Sequence, residues 1–162
     1  MAMQLPTPSL LAVATGIVGS AWSSGAIASI SIVGVPAALI APSAPAVIWA
    51  EFFARGVALM PKIAVTTAGA YLYAAYDTRQ RGGNWKGFVA GAALAVAIVP
   101  YTLAFMAGTN DLLHAAAKDV GAFSQEEVKK LVSRWGVLNL GRSVLPLVGA
   151  SVGLVTVLQN VL

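Results

Sequence analysis

Between Arg134 and Leu158 the chain reads RWGVLNLGRSVLPLVGASVGLVTVL, apolar and long enough to cross a bilayer. Near its start stand Trp135, Asn139 and Arg142, which an α-helix stacks on one face. A guanidinium at membrane depth costs a few kcal/mol even on insertion-based scales, so it seldom faces lipid. Two readings fit this helix alone. Either the three side chains wall a polar pocket at the headgroup end of a transmembrane span, or Arg142 snorkels to the interface beside a belt tryptophan.

The rest of the chain is of the same kind. It has 162 residues, 58% of them hydrophobic and only 10% charged, and its mean hydropathy is +0.80. A soluble domain carries about 25% charged residues. The expectation is an all-α integral membrane protein in one domain, multi-pass, its loops against lipid. Cysteine is absent and His114 is the one histidine, which leaves no thiolate ligands, no cysteine nucleophile and no pair of imidazoles for a metal or bis-His haem. The net charge of +4 is spread over short loops and carries no nucleic-acid signal.

The pattern predicts four spans, at about 10–32, 56–76, 87–106 and 137–158, with a polar helical segment at about 107–133 between the last two. The first is rich in small residues (Gly16, Gly19, Ser20, Ser23, Ser24) that let helices approach closely, and without Lys or Arg before it a retained helix is expected rather than a cleaved signal. Pro36, Pro42 and Pro45 are expected to break the chain after it. Glu51, Arg55 and Lys62 share a face of the second helix, Glu51 with Arg55 forming an i,i+4 pair and Lys62 entering the membrane next to Pro61. Tyr71, Tyr73 and Tyr76 would close that span as an aromatic belt. In the polar segment Thr109 is a candidate N-cap, Gly121 a helix end, and Ser124 with Glu127 a capping box.

Topology brings three polar stripes to one end of such a bundle: Glu51/Arg55, Asn110/His114 and Trp135/Asn139/Arg142. That convergence favours the pocket over the snorkelling arginine. His114 is the side chain there that works as a base near neutral pH without a large shift.

The runs PYTLAFMAGTNDLLHA (Pro100 to Ala115) and WGVLNLGRSVLPL (Trp135 to Leu147) resemble the anthrone oxygenase family, small integral membrane proteins of fungal polyketide clusters. The shared order is P-[FY]-T, T-N-x-x-L, then W-x-x-x-N-x-x-R, and it covers roughly the C-terminal half. The resemblance implies oxidation of an anthrone to an anthraquinone by O2 in aromatic polyketide biosynthesis, without flavin, haem or metal. For that chemistry His114 is assigned as base, and Arg142 with Asn139 as oxyanion stabilisers. Asn110, Trp135, Glu51 and Arg55 are assigned to the substrate, Trp135 by stacking on its rings. Competing readings are a non-enzymatic membrane protein, such as an assembly partner or transporter subunit, and an enzyme with one haem on His114. Self-association into a homo-oligomer is left open.

Overall fold

The structure, a computed structural model, describes residues 6–41, 44–119 and 121–162. Among these residues every element is helical, and four long helices account for nearly all of them: α1 (Thr7–Ile40), α2 (Pro45–Gln80), α3 (Lys86–Lys118) and α4 (Gln125–Val161). Three of them, α1, α3 and α4, are long and apolar enough to cross a membrane. The second helix is the exception, because Glu51, Arg55, Lys62, Asp77 and Arg79 are spread along it.

The helix boundaries have local causes. Pro8 and Pro45 stand in the first turns of α1 and α2, where a missing N–H costs nothing. Ala41, ahead of a proline, is extended and ends α1. At the end of α2, Gly82 takes a left-handed φ of 75°, and the Gly83 and Gly82 amides donate to the Thr78 and Arg79 carbonyls, a Schellman closure only glycine makes without strain. The capping box opens α4 as read from sequence: the Ser124 amide donates to Glu127 Oε2 (2.9 Å) and the Glu127 amide to Ser124 Oγ (3.3 Å).

Several sequence expectations need correction. Pro36 does not break the chain; α1 runs through it, because a π-helical turn at Ile30–Gly34 resets the ladder just before, leaving Pro36 in the opening turn of the α-helical stretch Val35–Ile40. Pro42 lies outside the described residues. The polar segment is no separate excursion: Ala107–Lys118 continues α3 after a second π-turn at Thr102–Met106, and the rest begins α4. Thr109 is accordingly a buried interior residue and caps nothing. That helix ends at Lys118, before Gly121, with Asp119 extended and its Oδ1 taking the Gly121 amide.

Tyr71 is no belt residue either. Its side chain is fully buried, and its hydroxyl donates to the Gly149 carbonyl of α4 (3.1 Å). It fits because three helices turn glycines towards it: a Cβ on Gly16, Gly91 or Gly153 would stand 2.6, 3.0 or 2.5 Å from its nearest atom. Tyr73 and Tyr76 are exposed.

Each long helix packs on its neighbours in the chain, and α4 closes onto α1. Polar locks fasten one end: Ser9 Oγ donates to Asp77 (2.6 Å), and Asn84 and Asn160 exchange backbone-to-side-chain hydrogen bonds of 2.8 and 2.9 Å. At the other end an aromatic and aliphatic core forms around Trp49, Met106, Leu113, Val132 and Trp135.

Candidate active site

The polar side chains of α4 are anchored at the two π-turns. Asn139 is fully buried; its Nδ2 donates to the Ile27 carbonyl and to Ser31 Oγ, both at 2.9 Å, at the first π-turn. Its Oδ1 accepts from Arg142 (2.6 Å). Arg142 donates in turn to Thr102 Oγ1 (2.9 Å), the first residue of the second π-turn, and Thr102 passes its own proton to the Ile98 carbonyl (2.7 Å). A continuous hydrogen-bonded chain therefore crosses from α1 through α4 to α3. It holds the guanidinium by two of its five donors, and among the described residues the others have no partner.

Arg142 faces a cavity of about 750 Å³ bounded by all four helices, mostly apolar. Its polar lining consists of Arg142 and Thr102 at one pole and of Asn110, Asp111, His114 and Arg55 towards the other. The His114 ring stands edge-on to Trp49 and to Phe53, each with centroids 4.9 Å away, and Trp135 meets Trp49 at 6.0 Å. From Thr102 to His114 the rise along α3 is about 18 Å, so the cavity is long enough to take a flat polycyclic molecule between the two poles.

Unsatisfied groups concentrate here. Six buried side-chain polar atoms have no hydrogen-bond partner among the described residues, and three of them belong to residues lining this cavity: Asn110 Oδ1, Arg142 Nε and Trp135 Nε1; a fourth, Trp49 Nε1, is on the ring packed against His114 and Trp135. Each such group costs about 1–3 kcal/mol, and a cluster of them marks where a structure is arranged around something polar rather than around its own core.

The chain matches the family model for anthrone oxygenase over residues 49–152, which takes in the cavity residues of α2, α3 and α4 from Phe52 to Arg142. The chain belongs to the anthrone oxygenase family. It is 37% identical over 139 residues to the monooxygenase hypC of Dothistroma septosporum, covering 82% of this chain and 75% of that one. It is 36% identical to an anthrone oxygenase of Claviceps purpurea (89% and 84% covered) and 31% identical to anthrone oxygenase tpcL of Aspergillus fumigatus (91% and 93%). No solved structure matches it.

Within this anthrone oxygenase-family chain, His114, Arg142, Asn110, Trp135 and Arg55 line one cavity. Asn139 stands behind Arg142 as its support and does not line the space. Glu51 is not among the lining residues; it pairs with Arg55 at 2.6 Å, both side chains being more than half exposed. Arg142 is thus not a partner of Glu51. Sequence reasoning missed Thr102, Ser31, Trp49 and Phe53. Thr102 stood inside the P-Y-T run, and Trp49 with Phe53 at i,i+4 near the start of α2 was a readable aromatic pair.

Proposed function

We propose that the chain is an anthrone oxygenase, converting an anthrone to an anthraquinone with O2 within aromatic polyketide biosynthesis. The observation that carries this reading is the cavity itself: an apolar slot lined at one pole by a braced guanidinium whose Nε has no partner among the described residues, and at the other by an imidazole. Membership of a family whose named relatives are anthrone oxygenases supplies the substrate class.

In the reaction the ring methylene loses a proton to His114 by way of water at that end of the cavity, leaving a carbanion delocalised onto the opposite carbonyl oxygen as a phenolate-like oxyanion. Arg142 donates to that oxyanion through the hydrogens that Thr102 and Asn139 leave free, in a site too apolar for water to compete. The anion passes one electron to O2; the resulting radical and superoxide combine through a C–O bond, and the histidine's proton returns to the peroxide. Loss of the remaining C–H proton with cleavage of the O–O bond releases water and leaves the new carbonyl. One oxygen atom enters the product and one leaves as water. Both electrons for the second atom come from the substrate, so we propose that the reaction needs no flavin, haem or metal.

The four helices are proposed to form a membrane bundle, with α2 the most polar member. From Lys86, Thr102 lies about 24 Å along α3 and His114 about 42 Å, against a hydrocarbon thickness of about 30 Å. Arg142 then works just inside the hydrocarbon and His114 among the headgroups.

The test is quinone formation from an anthrone under air by the purified protein in lipid nanodiscs, followed by absorbance against the spontaneous background. Turnover that survives exhaustive chelation and an absorbance spectrum free of flavin or haem are expected. A rate no higher than background defeats the activity, and activity restored only by added iron or copper defeats the cofactor-free route.

A further inference from the structure

The cavity has a side window as well as an end. Along its length α2 packs on the Lys86–Val96 and Ala107–Lys118 stretches of α3, and at most grazes the stretch between them, which leans on α4 instead. On the α2 side Pro61, inside the helix, denies the backbone one hydrogen bond and favours a bend at this height. On the α3 side the second π-turn occupies the same level. At this level the cavity is lined by Val57, Met60 and Pro61 of α2 and by Val99 and Leu103 of α3. Val57, Val99 and Leu103 are also turned outward, 56%, 45% and 70% exposed. Every one of these five side chains lacks a charge or a hydrogen-bonding group, whereas the end of the cavity near His114 carries Asp111 and Arg55.

We propose that this window is the substrate's entrance, and that the substrate, a flat apolar aromatic ketone, arrives from the lipid phase rather than from water. This rests on the proposed membrane bundle and activity. An apolar rim offers nothing to a hydrated molecule, yet it continues a hydrocarbon phase without a desolvation step. The window opens about 20–26 Å along α3 from Lys86, within the hydrocarbon thickness of about 30 Å. A tricyclic ketone dissolved in lipid passes Leu103 and meets Arg142 and Thr102 directly behind it, the first polar groups on its way. The end near His114, Asp111 and Arg55 serves the proton and water that the reaction exchanges with the solvent.

The native chain holds no cysteine, so single thiols can be introduced without background. Leu103→Cys and Val57→Cys put a thiol on either side of the window, and Asp111→Cys puts one at the polar end. Each variant, in nanodiscs, is compared with itself carrying a bulky maleimide or a small methylthio group. The bulky group on the Leu103→Cys or Val57→Cys variant is expected to lower kcat/KM by about tenfold or more with kcat at saturation less affected. On the Asp111→Cys variant, at the end that serves proton and water, it is expected to lower kcat/KM for the anthrone far less than at the window, the loss falling in kcat instead. With total substrate fixed, adding empty lipid is expected to slow the reaction in proportion to the falling mole fraction in the membrane. A rate that follows the aqueous concentration, or a block at Asp111→Cys with none at the window, overturns the proposal. Tryptophan-fluorescence quenching by the stable anthraquinone reads entry without turnover. If quenching slows with the window label while no variant or parent oxidises an anthrone, the reaction assignment fails and the entrance stands.

Discussion

Arg142 is the residue on which the chemistry turns, and its surroundings define what its loss does. Among the described residues it has no carboxylate partner; Thr102 and the Oδ1 of Asn139 hold it. Arg142→Leu removes a charge from a helix interior, which favours insertion, and orphans one buried amide oxygen, which costs about 1–3 kcal/mol. The two effects oppose, so expression and Tm are expected to stay near the parent's, while kcat falls by about two to three orders of magnitude, as for a lost oxyanion donor. Arg142→Lys is expected to recover only part, since a point charge lacks the planar fork. Glu51→Gln is expected to change neither outcome. A folded Arg142→Leu protein with full turnover would make the guanidinium a structural group only. Thr102→Val tests the brace: with the guanidinium tethered by Asn139 alone, kcat is expected to fall about tenfold, a loss of about 1.4 kcal/mol in the transition state, and Thr102→Ser to restore it.

At the scale of the helix, the tyrosine notch and the capping box give separate predictions. An alanine at Gly16 or Gly153 puts a methyl against Tyr71 at 2.6 or 2.5 Å, closer than real Cβ contacts come. Each change is expected to cost about 1–3 kcal/mol by overpacking, read as a fall in Tm, and pairing either with Tyr71→Ala is expected to recover part of the loss. At the other end of the molecule, the Ser124 hydroxyl and amide hold the Glu127 carboxyl below its ordinary value. A carboxyl depressed in the folded state stabilises above its unfolded pKa, and that contribution disappears as the pH falls through the folded value. Glu127→Gln keeps the capping geometry but cannot titrate, so the variant's Tm is expected to change less than the parent's between neutral pH and pH about 3. Equal pH profiles would remove Glu127 from the acid response.

These elements also mark how far the sequence could be read. Hydrophobic runs, the capping box and the i, i+4, i+7 face of α4 are local patterns, and each was legible. The π-turns were not. They stand where Asn139 and Arg142 reach across to Ile27, Ser31 and Thr102, contacts between residues far apart in the chain. For the same reason Pro36 read as a breaker and Thr109 as a cap. Tyr71 read as a belt residue because its glycine partners sit on three different helices. The site's polar members were visible as stripes; Glu51 was drawn in with them because it shares a helix face with Arg55, although its carboxylate stays outside the cavity.

Across the whole molecule, the two ends differ in a way that fixes topology. The Ser9–Asp77 and Asn84–Asn160 locks gather the start of α1, the α2–α3 turn and the end of α4 at one end, while the start of α2, the end of α3 and the start of α4 lie at the other, near His114. If the bundle spans a bilayer, the C-terminus and the α2–α3 turn share one aqueous face and the α3–α4 connection occupies the opposite one. Positive charge does not choose the orientation, because Arg79, Arg81 and Lys86 at the first end are opposed by Lys118, Lys129, Lys130 and Arg134 at the second. Absence of native cysteine again makes the measurement clean. In sealed vesicles of one orientation, Leu162→Cys and Gly83→Cys are expected to react with a membrane-impermeant maleimide from the same side, and Gly121→Cys only after the vesicles are opened, or the reverse. Reaction of Leu162→Cys and Gly83→Cys from opposite sides would sink the four-span arrangement. Reaction of all three from one side would mean that the helices lie on the membrane or beside it. In that case the apolar window between α2 and α3 would open to water, and the cavity behind it would have to be filled from there.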